Sequence, residues 1–161
     1  LRGDKTYEIS SDQLFANSSK NALLQPRDSI IVEEDDRSFV AFGASGKEDL
    51  IYFPKDNLTT LEAVSLMGGL SDNRADPKGV LVLRDYPVGA LQSGPHGPDM
   101  QQVVFTFDLI NADGIFAAKK FPIRADDTIL ATESPVTSVR TVFQLLGSVI
   151  GISAQTANLA N

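Results

Sequence analysis

Polar and apolar residues alternate through much of the chain, and the alternation predicts strands. Residues 5–9, KTYEI, have the period of a half-buried strand. A short DQLF segment and the polar stretch ANSSKN follow. Residues 23–34, LLQPRDSIIVEE, then place Pro26 and Asp28 at a turn and a β-branched strand over Ser29 to Glu33. SFVAFGAS and LIYFP predict two more strands joined by the turn GKED. GVLVLRDY predicts another, and the Gly/Pro-rich loop PVGALQSGPHGPD leads to one over Gln102 to Phe107. VVFTFDLI runs on into NADG, which reads as a turn.

One stretch departs from this period. From Thr59 to Met67, apolar residues fall at Leu61, Ala63, Val64, Leu66 and Met67, a helical stripe. Thr59 or Thr60 can cap its N-terminus, and Glu62 favours the positive end of the helix dipole. Gly68 and Gly69 end it, because glycine adopts the left-handed C′ conformation at little cost. A small mixed sheet around one helix, with a long hairpin, outlines an α+β fold of the β-grasp type.

The chain also resembles itself. With Asp28 placed over Asp127, LLQPRDSIIVEE aligns with FPIRADDTILATE, the order being apolar, polar, Asp, β-branched. The division this predicts is the end of one module over 1–37, a complete module over 38–133 and a separate tail over 134–161. The abrupt start, LRGDKTYEIS, lacks the apolar core of a signal peptide and reads as a piece of a longer chain.

The tail has its own pattern. Ser134-Pro135 is a helix start, serine as cap and proline at the first position. At 100° per residue Val136, Val139, Val142, Phe143, Leu146, Val149 and Ile150 share one face. Arg140, Thr141, Gln144, Gly147, Ser148, Gly151 and Gln155 share the other. Such a helix of roughly 23 residues is about 34 Å long, comparable with a bilayer core of about 30 Å. Gly147 and Gly151 have the spacing at which helices approach closely. On periodicity alone, docking against its own sheet is the preferred placement. A ring of such helices, polar faces inward, is the other.

Composition narrows the functions. The 161 residues carry 14 Lys and Arg against 21 Asp and Glu, a net charge of −7. No basic stripe exists to displace phosphate counterions, which argues against nucleic acid as a partner. There is no cysteine, hence no disulfide, thiolate metal site or thiol nucleophile. The single histidine, His96, sits in the loop SGPHGPD with no nucleophile or orienting group nominated beside it. GASGK fails the spacing of a phosphate loop and reads as a strand-connecting turn. The runs EEDD (33–36) and ADD (125–127) lack calcium-loop spacing and read as solvated turns, and RGD (2–4) reads as coincidence. No catalytic residue, metal ligand or cofactor site is nominated, and an enzyme is not expected.

These segments resemble a known family. LQPRDSIIVEE, FVAFGASGKEDLIYFP, LTTLEAVSLMGGLSDNRADPKGVLVLR and VVFTFDLI are similar to the soluble-ligand-binding β-grasp (SLBB) modules of polysaccharide biosynthesis/export outer-membrane proteins from Gram-negative capsule systems. The pattern is carried by Pro26-Arg27-Asp28, Gly43, Leu61-Glu62-Ala63 through Gly68-Gly69-Leu70, and Val80 through Arg84. PRD lacks the family's usual glycine, and Met67 stands where a small residue is usual. The resemblance implies a non-catalytic export channel in the periplasm and outer membrane, built as a homo-oligomeric ring, with polysaccharide as cargo and an inner-membrane export partner.

It also implies that the tail helices form a barrel through the outer membrane. Val139, Val142, Phe143, Leu146, Val149 and Ile150 then face lipid, and Arg140, Thr141, Gln144, Ser148 and Gln155 line the pore. The competing expectation is a soluble glycan- or small-ligand-binding module that uses the loop with Ser93, His96 and Asp99, its tail helix packed in the core.

Overall fold

The computed structural model describes residues 1–92 and 97–133. Its five strands are β1 (Ser38–Gly43), β2 (Asp49–Tyr52), β3 (Val80–Asp85), β4 (Gln102–Phe107) and β5 (Thr128–Ala131). They form one mixed sheet in the order β2-β1-β5-β3-β4. The hairpins β1–β2 and β3–β4 are antiparallel, β3 and β5 are antiparallel, and β1 runs parallel to β5 at the centre. The helices are α1 (Ser11–Ala16), α2 (Thr60–Leu66) and α3 (Ala112–Lys120).

Alternation decides what the sheet buries. Phe39, Ala41, Val80, Val82, Ile129 and Ala131 point to one side and pack with Ala63, Val64 and Met67 of the α2 region and Ala118 of α3. The other side of the β1–β2 hairpin leaves Val40, Phe42, Leu50 and Tyr52 exposed. The helix layer thus covers one face only.

The α2 termini form as the residues require. Thr59 accepts from the Glu62 N–H at 3.4 Å, and Glu62 accepts from the Thr59 N–H at 3.0 Å, a reciprocal cap. At the other end the Gly69 N–H donates to the Val64 carbonyl and the Gly68 N–H to that of Ser65, the paired closure of a Schellman motif. Gly68 (φ 81°) then meets Gly46 of the β1–β2 turn, where an added Cβ on Gly46 would lie 2.6 Å from the Gly68 carbonyl oxygen. The double glycine therefore both stops the helix and lets two backbones touch. GASGK is the strand-connecting turn it was read to be.

Three expectations change. The module contains two helices packed together rather than one. NADG is the start of α3: the Asn111 side chain accepts from the Gly114 N–H, Asp113 lies in the first turn, and Lys119 and Lys120 lie in the last. The strands expected over residues 5–9 and 29–33 do not form, because neither segment has a neighbouring strand to complete a ladder. In their place Arg2 and Lys5 make a single bridge, and Tyr7 is largely exposed.

The two aligned Asp turns nevertheless share one geometry. Arg27 and Asp126, the residues preceding each aspartate, both take positive φ, 76° and 66°. The Asp28 N–H donates to the Gln25 carbonyl, as the Asp127 N–H does to that of Arg124. Each aspartate also accepts from the backbone N–H three residues earlier at 2.8 Å. Each holds an arginine from a distant segment: Arg2 on Asp28, Arg84 on Asp127.

The tail and its proposed lipid-facing and pore-lining positions lie outside the described residues, as do Ser93 and His96. Among the described residues no helix is long and apolar enough to cross a membrane.

Candidate functional site

A surface cleft forms beside the long β3–β4 connection. Asp85 and Gln102 face each other across the last rung of the ladder, and the Tyr86 N–H donates to the Gln101 carbonyl at 2.7 Å. Beyond that point the chain splays, and an open cleft of about 510 Å³ forms between Asp85, Tyr86, Leu91, Asp99, Met100, Gln101 and Gln102. Arg124, from the turn before β5, lies 5.4 Å from the Tyr86 ring centroid and covers one of its faces. Of the three residues expected in a ligand loop, Asp99 lines this cleft.

Two carboxylates, two side-chain amides, a phenol and the apolar flanks of Leu91 and Met100 offer hydrogen bonds and shallow apolar contact. Among the described residues, the cleft lining pairs no nucleophile with an oriented base, and there is no cluster of potential metal ligands. The lining offers hydrogen-bond donors and acceptors beside apolar flanks. A smaller cleft of about 340 Å³ lies between Pro54, Lys55, Leu58, Glu62, Ser65 and Leu66. Its two charges already satisfy each other, Lys55 to Glu62 at 2.7 Å.

β3 also carries one half of a buried ion pair that the sequence reading placed in solvent. ADD was expected to be solvated, but Asp127 is 1% exposed. Arg84 grips it through both oxygens, Nε to Oδ1 at 2.8 Å and Nη2 to Oδ2 at 2.7 Å, and donates to the Pro122 carbonyl as well. Its guanidinium lies 5.5 Å from the Phe105 ring centre and 5.1 Å from that of Phe121. Burial pulls the Arg84 pKa down, but the bonds to Asp127 and Tyr86 outweigh it and hold the group charged. The alternation of VLVLR was the available signal, since it puts Arg84 on the same side of β3 as buried Val80 and Val82. EEDD, by contrast, is solvated as expected, and Asp35 pairs with Arg37 at the surface.

The described residues thus form an α+β module of a five-stranded mixed sheet with a helical layer and an open polar cleft at one end. No protein-family model matches the chain. Among curated proteins it is similar to the capsule polysaccharide export protein BexD of Haemophilus influenzae, 26% identical over 166 residues. That match covers 98% of this chain and 42% of the relative. It is similar to the same degree to the capsule polysaccharide export outer membrane protein CtrA of Neisseria meningitidis, from a serogroup A strain (43% of the relative) and a serogroup B strain (42%). The chain is thus distantly related to capsule polysaccharide export outer membrane proteins over nearly its whole length. It spans less than half the length of those relatives.

Proposed function

We propose that this chain is the SLBB β-grasp portion, with the C-terminal segment, of a polysaccharide export channel of the capsule type, a non-catalytic conduit in the periplasm and outer membrane. The relatedness to capsule polysaccharide export proteins across 98% of the chain carries this reading. The sheet order supports the β-grasp assignment, since the first and last strands of the module lie parallel at its centre with α2 packed across them. Residues 1–37 end a first module, 38–133 form a complete second, and 134–161 follow as the amphipathic segment.

The mechanism is geometric. Copies assemble as a ring, and the exposed apolar group Val40, Phe42, Leu50 and Tyr52 supplies contact surface. The tail helices place Val139, Phe143, Leu146 and Ile150 toward lipid and Thr141, Gln144, Ser148 and Gln155 toward the passing polymer. Uncharged hydrogen-bonding groups let a hydrated polysaccharide slide rather than stick. An inner-membrane export partner delivers the polymer to the ring.

Liposome partitioning and size measurement of the 161-residue chain, beside a chain ending at Glu133, test the reading. The longer chain partitions and forms a large discrete oligomer, while the shorter one stays folded in solution. If both stay monomeric and the shorter loses several kcal/mol of stability, the tail belongs to a globular core. That outcome selects the second reading, a soluble glycan-binding module. The cleft of Asp85, Tyr86, Asp99, Gln101 and Gln102 favours this alternative.

A further inference from the structure

Helix α3 presents an apolar face away from its own sheet. Ile115, Phe116, Lys119 and Lys120 stand three and four residues apart and share one side, while Ala118 on the opposite side is buried in the core. Ile110, just before the Asn111 cap, and Ile115 hold the two positions of a hydrophobic staple, yet both are exposed. This patch and the sheet patch look in opposite directions. α3 packs beside α2 over the inner face of the sheet, whereas Val40, Phe42, Leu50 and Tyr52 lie on the outer face of β1 and β2.

The charges at the margins of the two patches are also opposite. Lys119 and Lys120 close α3, both exposed and neither in an ion pair with a described residue. At the sheet patch Glu48 accepts from the Gly43 N–H at 3.1 Å, which sets its carboxylate near Phe42. At the other end of β1 the Asp126 N–H donates to the carbonyl of Ser38, the partner of Tyr52 in the ladder. Both carboxylates are exposed and neither meets a described cation, while Lys47 is already neutralised by Asp49 at 2.6 Å.

Sign selects the contact. Sheet face on sheet face sets carboxylates against carboxylates, and α3 on α3 sets lysines against lysines. Helix on sheet joins opposite signs and supplies the layer that the outer face of β1 and β2 lacks.

We propose that α3 of one copy packs on the bare β1–β2 face of the next, with Ile115 and Phe116 on the apolar patch and the two lysines toward the carboxylates at its margin. This rests on the ring assembly proposed for the chain and supplies the surface that the sheet patch meets. Because the two patches differ and look opposite ways, each copy keeps one of each free. The contact is therefore head-to-tail and repeats from copy to copy until the ring closes.

The 161 residues contain no cysteine, so introduced thiols report the contact. Phe42→Cys and Phe116→Cys are made separately, at side chains 53% and 58% exposed, then mixed in equal amounts in liposomes and oxidised. The mixture forms a disulfide-linked dimer that neither variant forms alone. A chain carrying both substitutions forms a ladder of linked oligomers. Linkage of either variant with itself in comparable yield overturns the inference, because it places like face on like face.

Charge gives a readout independent of disulfide geometry. Lys119→Glu with Lys120→Glu raises the concentration for half assembly by about tenfold or more, read by sedimentation in detergent. Glu48→Lys with Asp126→Asn in the same chain recovers most of that loss. Asparagine is used at 126 because the residue there takes positive φ, 66°. Recovery supports the contact even where the thiols lie too far apart to bond. An oligomer that neither links in the mixture nor responds to the charge substitutions overturns this contact and leaves the ring standing. A chain that forms no oligomer in any variant overturns the ring and the contact together.

Discussion

Asp127 and Asp28 hold the same kind of turn with the same kind of bidentate partner, yet their surroundings differ. The side chains of Arg84 and Asp127 are 4% and 1% exposed, whereas that of Arg2 is 39% exposed. Asp127→Asn leaves a guanidinium charge buried and uncompensated, a loss of about 3–5 kcal/mol in urea unfolding. Asp28→Asn costs much less, because water screens Arg2. Equal losses would show that solvent does not separate the two sites.

The depressed carboxylates set the acid limit. Lys55, with the Thr59 backbone and hydroxyl, holds Glu62 down at about 2, and Arg2 with the Gln25 N–H holds Asp28 at about 2. Both lie below their ordinary values of 4.5 and 3.8. As pH falls, the unfolded chain takes up protons first, so stability present above the ordinary range is lost as pH drops from there toward 2. Thermal midpoints measured by circular dichroism stay level down to about pH 5 and then fall. Glu62→Gln flattens part of that slope.

Among the elements, α2 has only seven residues, too few to be stable alone in water, and is held by its capped ends together with the packing of Ala63 and Val64 in the core. Its C-terminal closure depends on contact between Gly68 and Gly46. Gly46→Ala drives a methyl into the Gly68 carbonyl and costs about 1–3 kcal/mol. Gly68→Ala places a side chain in the left-handed region, at about 1–2 kcal/mol. Denaturant unfolding of the two single variants and the double variant gives a sum that fails to add, because the sites touch. α3 shows how an element escapes a periodicity reading: Ile115 and Phe116 are exposed and Ala118 is buried, so no apolar stripe announces it. Its cap and charge pattern, Asn111, Asp113, Lys119 and Lys120, was the legible signal.

At the scale of the molecule, the sheet has one face covered by helices, while the opposite face is bare on β1 and β2, where Val40, Phe42, Leu50 and Tyr52 are exposed, and buried at Leu81 of β3. If the bare face of β1 and β2 joins copies in a ring, Phe42→Asp with Tyr52→Asp abolishes the large oligomer in liposomes. It leaves membrane partitioning and the thermal midpoint of the monomer nearly unchanged, since both side chains are more than half exposed. A drop in the midpoint would mean that these residues support the monomer itself. Persistence of the oligomer would move the contact to another face.

The linear pattern alone determined the strands β1 to β4, the capped helix α2 with its glycine stop, and the repeated Asp turn. Each is encoded within a few neighbouring residues by period, cap or turn chemistry. Tertiary structure alone decided that β1 and β5 meet in parallel at the centre of the sheet, that Asp127 is buried on Arg84 43 residues away, and that Ser29 to Val32 stays bare while the matching Thr128 to Ala131 becomes a central strand. The physical reason is that a strand is completed by hydrogen bonds to its neighbours, and a charge is buried only where a distant partner meets it. Neither condition is written in the segment's own residues.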